Sequence, residues 1–262
     1  MRTISVRSTA LAASAASLAL LVTACGGSGD GGTADDSKGK ADSSTAAAAP
    51  AAKALTSAEL EKVALAQADV KTGKVTDKIP AKDDVAKDQV SADNETCLPL
   101  IHAQLGIAQA EPAASVKRSW TGQTETQSEG SGPDGQDMTN VDVNKMMLNL
   151  ASYQDGGAEQ ALAALKKAAE QCAGGFTATA AGEQTPIAEV TTTTAPDGGD
   201  EAVAFTLGVP TGKDVNAPLK VVVVRKGATL ASFSAVNLSA MFTGKDYDVP
   251  ADVVDAQLDK LG

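Results

Sequence analysis

The sequence predicts an α+β fold: a single domain with a mostly antiparallel sheet packed with helices and closed by one disulfide. Three observations carry this. Runs of strand-like alternation follow one another directly, helical-period segments stand before, between and after those runs, and the cysteine count leaves one pair to join. Strands that alternated one by one with helices would instead predict a parallel sheet.

The patterned region runs from Leu55 to Gly262, roughly 208 residues, a length that suits one core. "TSAELEKVALAQADV" opens it, with Thr56 and Glu59 at capping-box spacing and Leu60, Val63 and Ala64 on one helical face. "ETCLPLIHAQLG" reads as a short helix entered near Thr96, with Pro99 in its first turn and Gly106 as its stop. "VKRSWTG" and "VDVNKMMLNLASY" read as strands, Met146, Leu148 and Leu150 alternating with Met147, Asn149 and Ala151. Between them, "SEGSGPDGQD" at residues 128 to 137 is expected to be a long surface loop, part of a polar stretch over 121–140.

The best helix is "DGGAEQALAALKKAAEQC", where Ala158, Ala161, Leu162, Leu165, Ala169 and Cys172 recur at helical spacing. "PIAEVTTTT" and "EAVAFTLGV" read as strands, the second with Val203, Phe205, Leu207 and Val209 on one face. In "LKVVVVRKGATLASFSAVN", Arg225, Lys226 and Gly227 are expected to form a hairpin turn, and Val221 to Val224 suits a strand covered on both faces. Pro250 opens a closing helix with Val254, Leu258 and Leu261 as its stripe.

Ahead of the domain, Arg2 and Arg7 precede an apolar stretch from Ser8 to Val22, the layout of a signal peptide over residues 1–24. That stretch is shorter than the roughly 20 residues a membrane span needs. Its end, Leu21 to Cys25, resembles the lipobox of bacterial lipoproteins, which implies a diacylglyceryl group on Cys25 and a lipid anchor in the membrane. The alternative is an ordinary signal peptide cut at a nearby Ala, leaving Cys25 a free thiol. Residues 25–54 are rich in Gly, Ala, Ser and Asp with no large apolar side chain, so they are expected to serve as a flexible tether of about 30 Å. The expected location is the outer face of the cytoplasmic membrane.

Consuming Cys25 leaves Cys97 and Cys172, which an oxidising compartment would join, the alternative being two buried free thiols. Closing a loop of about 75 residues stabilises by about 4.5 kcal/mol in the chain-entropy treatment, an upper figure. The formal charge is −11, and loss of Arg2 and Arg7 with the leader makes it more negative still, so no nucleic-acid partner is expected.

The opening helix leading into "QADV", Cys97 followed by "LPLIHAQLG", "MMLNLASY" running into the helix that ends at Cys172, and "VPADVVDAQLDKL" together resemble the PknH-like extracellular sensor domain. The resemblance implies an α+β ligand-binding domain with a cleft that passes a signal inward. Two departures stand out: the kinase version carries two disulfides where this chain offers one, and no kinase segment or transmembrane helix is present. No binding residue of that family can be matched to a position here, so the ligand-binding residues stay unknown.

Chemistry-bearing residues are few. His102 is the only histidine, placed beside Leu98 and Leu105, where a half-buried structural role is expected. No "GxSxG" presents a serine. Asp134, Gln136 and Asp137 lack the calcium-loop spacing. "TGK" at Thr72, Thr211 and Thr243 lacks the rest of a phosphate-binding loop. Asp197, Asp200 and Glu201 are expected to be solvated turn charges, and Trp120, Tyr153 and Tyr247 core or edge residues rather than stacking faces. No catalytic, cofactor-binding or metal residue is assigned. The expected function is non-catalytic recognition of an extracellular ligand, with an envelope scaffold binding a protein partner as the alternative and a cell-wall hydrolase as a weaker one.

Overall fold

The computed structural model describes residues 52–131, 137–212 and 215–262; Cys25 and the segments expected to be a leader and a tether lie outside them, save residues 52–54. Residues Ala48–Gly262 form a self-contained compact unit. It is α+β, as the sequence predicts.

Helix α1 (Ser57–Val63) starts at the capping box: Thr56 Oγ1 accepts from Glu59 N–H at 3.3 Å and the Glu59 carboxylate accepts from Thr56 N–H at 2.8 Å. It ends well before the apolar run does. The buried Gln257 side chain accepts from Leu65 N–H and donates to Val63 C=O, both at 2.8 Å, so a tertiary partner closes the helix and replaces its next turn. Strands β1 (Lys74–Thr76) and β2 (Val90–Ala92) follow. A single 3₁₀ turn at Glu95–Cys97 then leads into α2 (Leu98–Gln104), with Pro99 in its first turn and Gly106 beyond its end at φ +63°.

Strands β3 (Ala114–Ser131) and β4 (Asp137–Ser152) form one long hairpin. The expected long loop is corrected here: Gln127 still pairs with Thr139 and Ser131 with Asp137, so only residues 132–136 separate the strands, and these lie outside the described residues. Cross-strand pairing from a well-packed base carries the strands outward through Gly and Ser that composition assigns to a loop. Helix α3 (Gly157–Gln171) buries Ala158, Ala161, Leu162, Leu165, Ala168 and Ala169.

After α3 come β5 (Phe176–Ala180), β6 (Glu183–Ile187), β7 (Glu189–Thr193), β8 (Glu201–Gly212), β9 (Val215–Lys226) and β10 (Thr229–Asn237). Arg225 and Lys226 still pair in β9, so the expected turn moves to Gly227 and Ala228. Helices α4 (Ala240–Thr243) and α5 (Ala251–Asp259) close the chain. In α5 the buried stripe is Val253, Val254, Gln257 and Leu258; Leu261 falls past the helix end and is only partly covered.

Seven antiparallel strands form the main sheet in the order β1-β3-β4-β10-β9-β8-β7, and β2-β5-β6 form a smaller one. Pro186 lies in β6, an edge strand, where a missing N–H is tolerated. The main sheet is buried on both faces. Val221 and Val223 join Val203, Phe205, Leu207 and Leu230 in a core with α2 and α3, while Val222 and Val224 join Leu148, Leu150 and Phe233 in a second core with α1 and α5. Each such side chain contributes about 1.5–3 kcal/mol on burial, which explains why the valine run carries no polar alternation. Cys97 and Cys172 are joined, Cα to Cα 5.8 Å, tying the start of α2 to the end of α3.

A candidate ligand-binding cleft

Antiparallel register builds the site. Ser119, Met147 and Ser234 lie opposite one another across β3, β4 and β10, and Thr121, Lys145 and Val236 form the next such row. Both rows share the face that carries Phe205 and Val221, because Ser234 pairs with Val221 and Val221 with Phe205. Toward β8 and β9 that face is filled by the core under α2 and α3. At the β3–β4–β10 corner it opens into a cleft of ≈ 610 Å³.

The segment between β1 and β2 roofs this corner. Asp83 and Asp84 N–H groups both donate to Pro80 C=O, at 2.8 and 3.1 Å, turning the chain over the sheet. Lys117 of β3 then holds Asp84 at 2.6 Å, and Lys87 reaches Ala110 C=O and Glu111. At the end wall, Gly106 packs so closely that a Cβ there would lie 2.4 Å from Met147 Cγ, and its positive φ suits glycine besides. This contact seats the α2 terminus, with Gln104 and Leu105, on the sheet.

The lining is mixed. Hydroxyls come from Thr76, Ser119, Thr121 and Ser234, apolar surface from Val85, Leu105, Met147 and Val236, and charge from Lys82, Asp83 and Lys145. A concave site of about 300–1,000 Å³ with apolar walls and a few polar groups is what small-molecule recognition uses. None of these residues was predicted from sequence. They come from separate segments that only the sheet register and the roof bring together, and no local motif marks them.

Of the residues singled out from sequence, Trp120 borders the cleft through its place in β3, and the others lie elsewhere. His102 is buried rather than half-buried, at 6% exposure, and its Nε2 has no hydrogen-bond partner among the described residues. Burial, and secondarily the charge of Lys87, lowers its pKa from 6.5 to about 4, so it is neutral at pH 7 and shielded from solvent. Trp120 packs on the opposite face, its Nε1–H donating to Thr72 C=O at 3.0 Å. The Tyr153 hydroxyl donates to Gln109 C=O at 2.9 Å and that of Tyr247 to Ala235 C=O; burial raises the pKa of both.

The acidic turn is built into the fold. The Asp200 carboxylate accepts from Arg225 at 2.9 Å and from Gly227 N–H at 2.7 Å. Glu201 accepts from Lys166 at 2.7 Å, and that hydrogen bond holds its pKa below the usual carboxylate range. Asp197 remains exposed. Asp134 and Gln136 lie outside the described residues, Asp137 begins β4, and no group of three or more potential metal ligands occurs among the described residues. Thr72 precedes β1, Thr211 lies one residue before the end of β8 and Thr243 ends α4, so none of the "TGK" copies opens a helix as a phosphate-binding loop does.

One surface feature has no counterpart in the sequence reading. Phe242 in α4 is 83% exposed on a turn whose Ala240 N–H is held by Asn237 Oδ1 at 2.8 Å.

No family model matches the chain, and no curated protein matches it. Among solved structures, the extracellular domain of PknH from Mycobacterium tuberculosis aligns over 80% of this chain and 97% of its own length, at 11% identity and a TM-score of 0.46. That is a distant likeness of architecture. No helix among the described residues is long and apolar enough to cross a membrane.

Proposed function

We propose that this chain is an extracytoplasmic lipoprotein, anchored through Cys25 to the outer face of the cytoplasmic membrane, whose domain binds a ligand without chemical turnover. The cleft of ≈ 610 Å³ over β3, β4 and β10 is the observation that carries the reading. The leader, the lipobox-like Leu21 to Cys25 and the Cys97–Cys172 bond support an oxidising, extracytoplasmic location. A non-catalytic role is supported by the burial of the one histidine and by the pairing of Asp200 and Glu201 with Arg225 and Lys166.

Thermal denaturation of residues 48–262 against fractions of an envelope extract tests this. A ligand in the cleft raises the melting temperature by mass action, and Val236→Trp, a partly exposed position at the cleft, removes the rise. Fractions that shift wild type and Val236→Trp alike would contradict the reading.

The second reading, a scaffold that binds an envelope protein, is favoured by Phe242. An aromatic held outward on a hydrogen-bonded turn is the form an interface anchor takes. Loss of partner capture on Phe242→Ser, with the cleft variant silent, would select it.

A further inference from the structure

We propose that the cleft takes a small monoanionic amphiphile, a carboxylate on an apolar chain, with the carboxylate between Lys82 and Lys145 and the chain against Met147 and Leu105. This rests on the reading of the cleft as a ligand site.

The charge pattern points to the headgroup. The chain as a whole carries −11, yet the charged groups on the cleft wall are Lys82, Lys145 and Asp83, a local excess of one positive charge. Two other lysines of this region are neutralised, Lys117 by Asp84 at 2.6 Å and Lys87 by Glu111 at 3.1 Å. Lys82 and Lys145 have no ion-pair partner among the described residues. A positive island on an acidic protein draws anions to that point and repels them elsewhere.

One net positive charge matches one negative charge. A doubly charged phosphate would face Asp83 with its second charge unmatched, and no arginine lines the cleft to grip it bidentately. A carboxylate is served by the two lysines and by the hydroxyl of Thr121, which stands opposite Lys145 and can donate one O–H. Lys82 and Lys145 are exposed, which places the headgroup at the mouth. Leu105 and Met147 are partly covered, and the flexible thioether of Met147 adapts to an apolar chain.

Calorimetric titration of residues 48–262 with decanoate, 1-decanol and decyltrimethylammonium, each kept monomeric, tests the inference. Decanoate is expected to saturate one site, decanol to bind at least tenfold more weakly and the cation not at all. Lys82→Gln with Lys145→Gln, at two exposed positions, is expected to lower decanoate affinity about tenfold and leave decanol unchanged. Added salt should weaken decanoate alone.

Equal affinity for decanoate and decanol, both lost in Val236→Trp, would overturn the headgroup claim and leave the cleft a ligand site. Decanoate binding that survives Val236→Trp would overturn both. Absence of decanoate binding would overturn the inference, while an extract ligand lost on Val236→Trp would keep the cleft reading standing.

Discussion

At the scale of single residues, His102 gives the clearest prediction. Its pKa falls from 6.5 in the unfolded chain to about 4 in the fold, because burial disfavours the imidazolium. Between those values the unfolded state binds more protons, so stability falls as pH drops from about 6.5 to about 4 and is unaffected by this group above 6.5. Denaturant titrations at pH 7 and pH 4.5 should therefore differ by about 2 kcal/mol more in wild type than in His102→Leu. The spacing beside Leu98 and Leu105 placed this residue on a packed face, but did not show that the burial leaves it only 6% exposed. Gly122 was not singled out at all: a Cβ there would lie 2.1 Å from Trp120 Cη2, and the buried ring cannot withdraw. Gly122→Ala is expected to cost about 1–3 kcal/mol in chemical denaturation. No sequence pattern announces such a contact, since it depends on the ring of Trp120 lying flat along its own strand.

At the scale of elements, legibility follows length and periodicity. α3 and the strands β8, β9 and β10 were readable because each repeats its pattern over nine or more residues. β1 and β2 have three residues each and show no period, and they exist because a longer strand pairs with them. The β3–β4 hairpin shows the opposite failure: Gly, Ser and Asp read as a loop, yet register extended from Met146 and Leu148 holds the strands together. The roof of the cleft was invisible for the same reason as β1, being an irregular segment held by tertiary ties. Its link to the sheet is the Lys117–Asp84 pair, partly exposed and so worth under about 1 kcal/mol globally. Asp84→Ala should leave the melting temperature nearly unchanged and speed amide exchange across residues 77–86, which hydrogen-exchange mass spectrometry reads directly. The disulfide behaves differently, since it joins α2 to α3 beneath the same core. Cys97→Ser with Cys172→Ser is expected to cost 2–5 kcal/mol, the usual range for a native bridge.

At the scale of the whole molecule, the fold class was legible, and the site was not. Periodicity and cysteine count give an α+β domain with one disulfide, whereas the cleft arises only when β3, β4, β10, the α2 terminus and the roof converge. Anchoring is tested by Cys25→Ser, which should move the protein from the membrane fraction to the soluble one, because a diacyl anchor holds where a single chain would exchange. Whether the cleft holds a ligand is read by native mass spectrometry of residues 48–262, exported and purified gently. Extra mass is expected on the wild type, lost on denaturation and absent from Val236→Trp. Bare mass for both, or the same adduct on both, would contradict the cleft reading.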